Sequence, residues 1–99
     1  MDAARRKKIC YRAWHRGMRE MDLILGPFAD SHVWSLTPEE LDLFEALLEA
    51  PDQAMFGWIM GNAPTPPEFD NSVMDRVKAF RFSAHAAFET ARGSGSVDG

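Results

Sequence analysis

The chain has 99 residues, a net charge of −4, 45% hydrophobic and 26% charged residues, and a single cysteine. Those figures describe one ordinary globular domain. They exclude an internal disulfide framework, a multi-cysteine zinc site and, with seven Phe and three Trp, a disordered chain. No apolar run approaches the roughly 18 residues of a membrane span. No apolar signal core follows the basic N-terminal cluster, which argues against export, and the lone Cys10 fits a reducing compartment.

The charge is unevenly laid out. Residues 1–20 carry Arg5, Arg6, Lys7, Lys8, Arg12, Arg16 and Arg19 against Asp2 and Glu20. Residues 21–75 hold no Lys or Arg and eleven acidic residues, from Asp22 to Asp75. A basic element is joined to an acidic body. Either the two attract within the fold, or they offer two faces to a partner.

In chain order, a first helix is predicted from about Asp2 to Arg16, with Ile9, Ala13 and Trp14 on one face and Gly17 as its stop. A second runs from about Met18 to Phe28, with Met21, Ile24, Leu25 and Phe28 inward. Gly26-Pro27 weakens its last turn. Residues 29–36 read as a loop anchored by Trp34 and Leu36. Thr37-Pro38-Glu39-Glu40 is a capping box that opens a third helix, with Leu41, Phe44, Leu47 and Leu48 as its apolar stripe. Pro51-Asp52 starts a fourth, containing Met55, Phe56, Trp58 and Ile59 and closed by Gly61. Thr65-Pro66-Pro67-Glu68 reads as a second capping box, launching a last helix with Phe69, Val73, Val77, Phe80 and Ala84 inward. Strand-length alternation is absent. The expected fold is therefore all-α, a small single-domain bundle of about five short helices over residues 1–91, with a flexible Gly/Ser tail over 92–99.

Catalytic chemistry finds little to stand on. Cys10 lies beside the inward face of the first helix, where an inert thiol is expected. His15, His32 and His85 are scattered, with no His-x₃-His or Glu-x₂-His pair. No glycine loop for phosphate is present. The domain pI of about 5.2 opposes nucleic-acid binding, although Arg5 to Lys8 could contact phosphates. An enzyme built on Cys10 or His15 and a generic interaction module using the basic first helix stay open as alternatives.

One constellation remains, at the corner between the first two helices. Arg16 suits the end of one helix and Glu20 the start of the next, by the dipole rule. Gly17 permits positive φ and close approach of another backbone. Two readings follow. The corner is a well-capped turn, or it projects a guanidinium, a carboxylate and bare backbone toward a polar partner surface.

Arg16-Gly17-Met18-Arg19-Glu20-Met21-Asp22-Leu23, followed by Leu25-Gly26-Pro27-Phe28, resembles the succinate dehydrogenase assembly factor 2 family, also called FAD assembly factor SdhE. Its hallmark, Arg-Gly-x-x-Glu, is matched by Arg16, Gly17 and Glu20. The match continues through Leu36 to Glu40, Phe44 to Glu49, Asp52, and Trp58 to Gly61, and covers about residues 5–90. Gln53-Ala54-Met55 departs from the more acidic stretch usual in members. The resemblance implies a five-helix bundle without catalysis of its own. It implies an assembly factor that promotes covalent attachment of FAD to a histidine of the succinate dehydrogenase flavoprotein subunit, and in some members serves fumarate reductase. Arg16, Gly17 and Glu20 are then the contact residues, extended by Arg19 and Asp22. No FAD is expected to stay bound to this chain, no nucleic acid or membrane insertion is implied, and a monomer is expected. With the chain starting at Met1, a bacterial cytoplasmic protein is the expectation, or a mitochondrial matrix one if the source is eukaryotic.

Overall fold

The computed structural model describes residues 2–81, which form five α-helices and two short 3₁₀ turns, with no strand among them. Ala84, His85, the end of the expected domain and the expected tail over 92–99 lie outside the described residues.

Helix α1 spans Asp2–Trp14 and buries Arg6, Ile9 and Ala13. It stops two residues before the expected end, because the Arg16 amide is taken by the Asp22 side chain and cannot continue the helical ladder. Helix α2 spans Arg19–His32 with Pro27 inside it, so the expected end at Phe28 and the expected loop from residue 29 are corrected. The ring sits on the outer side of the helix, half-buried, and the carbonyl it leaves unpaired belongs to exposed Leu23, within reach of water. On the inner side Met21, Leu25, Phe28, Ala29 and Val33 are buried without a gap. That burial outweighs a proline cost of about 3 kcal/mol. A 3₁₀ turn over Val33–Ser35 follows. Leu36 is the buried anchor expected of it, but Trp34 is exposed.

Helix α3 spans Pro38–Leu48 and opens on the predicted capping box. Thr37 Oγ1 accepts from the Glu40 amide at 3.1 Å, and Glu40 Oε1 accepts from the Thr37 amide at 3.0 Å. Its expected stripe is buried throughout. Helix α4 spans Asp52–Met60 and ends at Gly61, whose φ of 80° no side chain adopts readily. The second capping box does not form. Residues Pro67–Phe69 make a 3₁₀ turn, Phe69 stacks on Trp58 with ring centroids 5.2 Å apart, and Thr65 Oγ1 accepts from Lys78 Nζ instead. Helix α5 begins at residue 72 and is described to 81. Asn71 caps it, its Oδ1 accepting from the amides of Val73 and Met74 at 3.0 and 3.1 Å.

The core gathers the inner faces of all five helices, with Phe28 at its centre. Phe44 and Phe80 meet Phe28 edge-on at 5.3 and 5.8 Å, and His32 stacks on it at 4.7 Å. His32 is therefore a packing residue. Outside the core, Trp14 lies flat over Gly26, where an added Cβ would stand 2.3 Å from the indole, and donates its ring N–H to Asp30 at 3.1 Å. That pairing locks α1 to α2.

Charge completes the packing. Arg5 reaches Glu45 and Asp42 on α3, which hold its guanidinium more firmly charged than usual, and Arg12 reaches Glu49. Arg6 is buried and donates to the carbonyls of Val33 and Leu36 and to Asp2. The basic helix thus answers the acidic helix and the carbonyl end of α2 within one chain. Among the described residues no helix is long and apolar enough to cross a membrane.

Arg6→Ala, which strands two carbonyls under the core, is expected to lower unfolding free energy by about 2–4 kcal/mol. Arg5→Ala, which breaks ion pairs with partly exposed Glu45 and exposed Asp42 and strands no carbonyl, should move the urea midpoint far less. Equal midpoints for the two variants would show Arg6 to be an ordinary surface charge.

Candidate functional site

The link between α1 and α2 is residues 15–18. Its first feature is an arginine that points inward. Arg16 has a side chain only 11% exposed, and every guanidinium nitrogen has an acceptor. Nε donates to Asp52 Oδ1 at 2.8 Å, Nη1 to the Leu48 carbonyl at 2.6 Å, and Nη2 to the Ala50 carbonyl at 3.1 Å. Leu48 and Ala50 mark the C-terminal end of α3, where carbonyls lack helical partners and a cation is favoured. Asp52 opens α4, where a carboxylate is favoured. One planar fork therefore closes the α3–α4 junction onto the α1–α2 corner. This corrects the expectation that Arg16 projects from the surface.

Asp22 also turns inward, its Oδ1 accepting from the Arg16 amide at 2.6 Å. Gly17 is exposed and donates its amide to Asp52 Oδ2 at 3.1 Å. It does not have the positive φ the sequence allowed for; among the described residues only Gly61 has one. A Cβ at Gly17 would meet nothing nearer than Asp52 Oδ2, at 3.7 Å, an ordinary contact. Nothing inside the molecule requires glycine there. Arg19 and Glu20, in the first turn of α2, are both exposed, and Glu20 and Asp22 lie at the positive end of that helix. The five expected site residues thus divide. Gly17, Arg19 and Glu20 face solvent, while Arg16 and Asp22 hold the corner together.

Asp52 belongs to the site as well. It stands 36 residues from Arg16, and its oxygens engage two consecutive residues of the corner. Nothing in local spacing links the two positions. The exposed large apolar side chains of the described residues, Tyr11, Trp14, Leu23 and Trp34, all lie on α1, α2 and the turn that follows. His15, next to the corner, stacks on Tyr11 with centroids 3.9 Å apart and donates Nδ1–H to the Tyr11 carbonyl at 2.7 Å.

For catalysis the surroundings offer little. Burial, and secondarily the negative charge of Asp30, push the Cys10 thiol above its ordinary pKa, away from the thiolate a nucleophile needs. Among the described residues no group of three or more His, Cys, Asp or Glu could hold a metal ion.

The described residues thus form a small helical domain with a polar corner at which Gly17, Arg19 and Glu20 face solvent. By its sequence the chain belongs to the family described as the flavinator of succinate dehydrogenase, whose model matches residues 7–81. It is similar to the mitochondrial succinate dehydrogenase assembly factor 2 of Dictyostelium discoideum, 41% identical over 73 residues, which are 74% of this chain and 52% of that protein. It is also similar to the FAD assembly factor SdhE of Acetobacter pasteurianus, 37% identical over 75 residues, covering 76% of this chain and 69% of the relative. The Candida glabrata assembly factor 2 is 38% identical over 71 residues, 69% of this chain and 46% of its own. The chain thus spans about half the length of the mitochondrial relatives it matches and about two-thirds of the bacterial one.

Arg16→Ala removes three side-chain hydrogen bonds and leaves Asp52 without its cation, and is expected to cost about 2–4 kcal/mol in urea unfolding. Arg16→Lys should recover only part of that, because an ammonium cannot span acceptors arranged for a fork. Full stability of Arg16→Ala would return this side chain to the surface.

Proposed function

We propose that this chain is an assembly factor with no catalysis of its own, which docks through the α1–α2 corner on the flavoprotein subunit of succinate dehydrogenase and promotes covalent attachment of FAD to it. The family membership supports the client and the outcome. The observation that carries the docking surface is Gly17, exposed, free of positive φ and with room for a Cβ inside. Whatever makes glycine useful at that point lies outside the molecule, and an approaching backbone is what a missing side chain admits. Exposed Glu20 and Arg19 offer a carboxylate and a guanidinium beside it.

Attachment needs a histidine held close to the flavin and stabilisation of negative charge developing on the ring. Both groups belong to the flavoprotein, as does the bound FAD. A helper acts by binding one conformation of its client better than others, raising the population in which histidine and flavin meet. No stable FAD site on this chain is part of the proposal. It extends to the fumarate reductase flavoprotein as a second client, to action as a monomer, and to the compartment where the flavoprotein acquires its cofactor, the bacterial cytoplasm or the mitochondrial matrix.

Docking by the basic first helix alone is a weaker reading, because Arg5, Arg6 and Arg12 are engaged within the chain. Exposed Lys7 and Lys8 remain to steer encounter.

The test mixes purified flavoprotein lacking covalent flavin with FAD, with and without this protein, then denatures the mixture and reads flavin fluorescence on the protein band. Wild type should raise the signal. Gly17→Arg should not, while keeping an unfolding free energy within about 0.5 kcal/mol of wild type, as surface substitutions do. A Gly17→Arg protein that supports full attachment sinks the corner as the docking surface.

A further inference from the structure

The corner has few bonds of its own. The amide of Arg16 is held by Asp22 and that of Gly17 by Asp52, so side chains do the work that a helical ladder does elsewhere. Asp22 lies within the same hairpin as the residues it holds. Asp52 lies outside it, on α4, and so fixes the corner relative to the rest of the bundle. A carboxylate in the first turn of a helix is favoured by that helix's positive end without any further partner. Among the described residues both Asp52 oxygens go across to the corner, Oδ1 to Arg16 Nε and Oδ2 to the Gly17 amide.

We propose that Asp52 is a positioning residue for docking. It acts through Gly17 and Arg16, holding the corner in the one conformation that a partner recognises. This rests on the docking reading above and adds to it the residue that presets the surface. Without the carboxylate, Arg16 keeps its two carbonyl acceptors, so the α3 end stays capped. The exposed Gly17 amide turns to water at little cost. The fold is therefore weakened, since Arg16 loses its counter-charge, but not lost, since two of its three acceptors stay. What is lost is the constraint on the direction in which Gly17 and Glu20 are presented. If only a fraction of molecules then has the competent corner, apparent affinity falls by that fraction, while the complex, once formed, is the same.

The experiment compares Asp52→Ala, Asp52→Asn and Thr37→Ala with wild type. Thr37→Ala removes the α3 cap, at about 1 kcal/mol, far from the corner in sequence, and serves as the destabilised control. Two quantities are read: hydrogen exchange of the Gly17 amide in the protein alone, and the concentration that gives half-maximal flavin attachment to purified flavoprotein. Asp52→Ala should speed Gly17 exchange and raise the half-maximal concentration about tenfold, with the same attachment at saturation. Asp52→Asn should fall between, since its single carbonyl oxygen serves one donor and its NH₂ faces the other. Thr37→Ala should keep the wild-type concentration. If wild type is active and Asp52→Ala needs no more protein than Thr37→Ala, the inference is overturned while the docking reading stands. Inert wild type removes the docking reading, and this inference with it.

Discussion

A single guanidinium meets two helix ends at once. The last carbonyls of α3 and the first carboxylate of α4 come within a few ångströms of each other because Pro51 turns the chain between them, and Arg16 arrives from a third direction to join both. Helix ends are where backbone polarity is unspent. A bundle of short helices has many ends for its size, and leaving them buried without partners would cost about 1–3 kcal/mol each. This fold meets that constraint with arginines. Arg16 closes the end of α3, and Arg6 closes the end of α2 and the turn after it. Both side chains put their forks where carbonyls converge, which lysine's point charge does less well.

The charge asymmetry of the sequence follows from the same arrangement. α1 packs against α2 and α3; its arginines face the acids of α3 and the carbonyl end of α2, and Arg16, just beyond it, takes the carbonyl end of α3. The attraction between basic and acidic halves is largely consumed internally. What is left facing solvent is local: a corner of bare backbone with exposed charges, and separate apolar side chains on α1 and α2.

Sequence reading succeeded where structure is decided within a few residues. Thr37 with Glu40, and Gly61 after α4, are local devices, and both appear as expected. It failed where a distant partner decides. Gly26-Pro27 looks like the last, weakened turn of a helix until the buried inner face of α2 is known to continue past it. Thr65 to Glu68 spells a cap, but Asn71 offers its carbonyl to two amides while Phe69 is drawn onto Trp58. The corner was singled out through its resemblance to a family, and of its residues Gly17, Arg19 and Glu20 are exposed. The inward turn of Arg16 was not legible, because its acceptors lie 32 to 36 residues away and two of them are backbone carbonyls, which carry no residue identity.

The split between Arg16 and Gly17 bears on how variants of such a protein would behave in a cell. Two adjacent positions in one motif fail by different routes. Loss of the Arg16 clasp raises the unfolded fraction, and proteases then remove the chain, so its abundance falls. On the proposed docking through Gly17, a larger side chain there would leave the folded population intact, so the protein would accumulate normally and be silent where it should dock. The first defect responds to lower temperature or to slower degradation; the second responds to neither. A genetic screen scoring only activity would place the two in one class, and a blot for the protein would separate them.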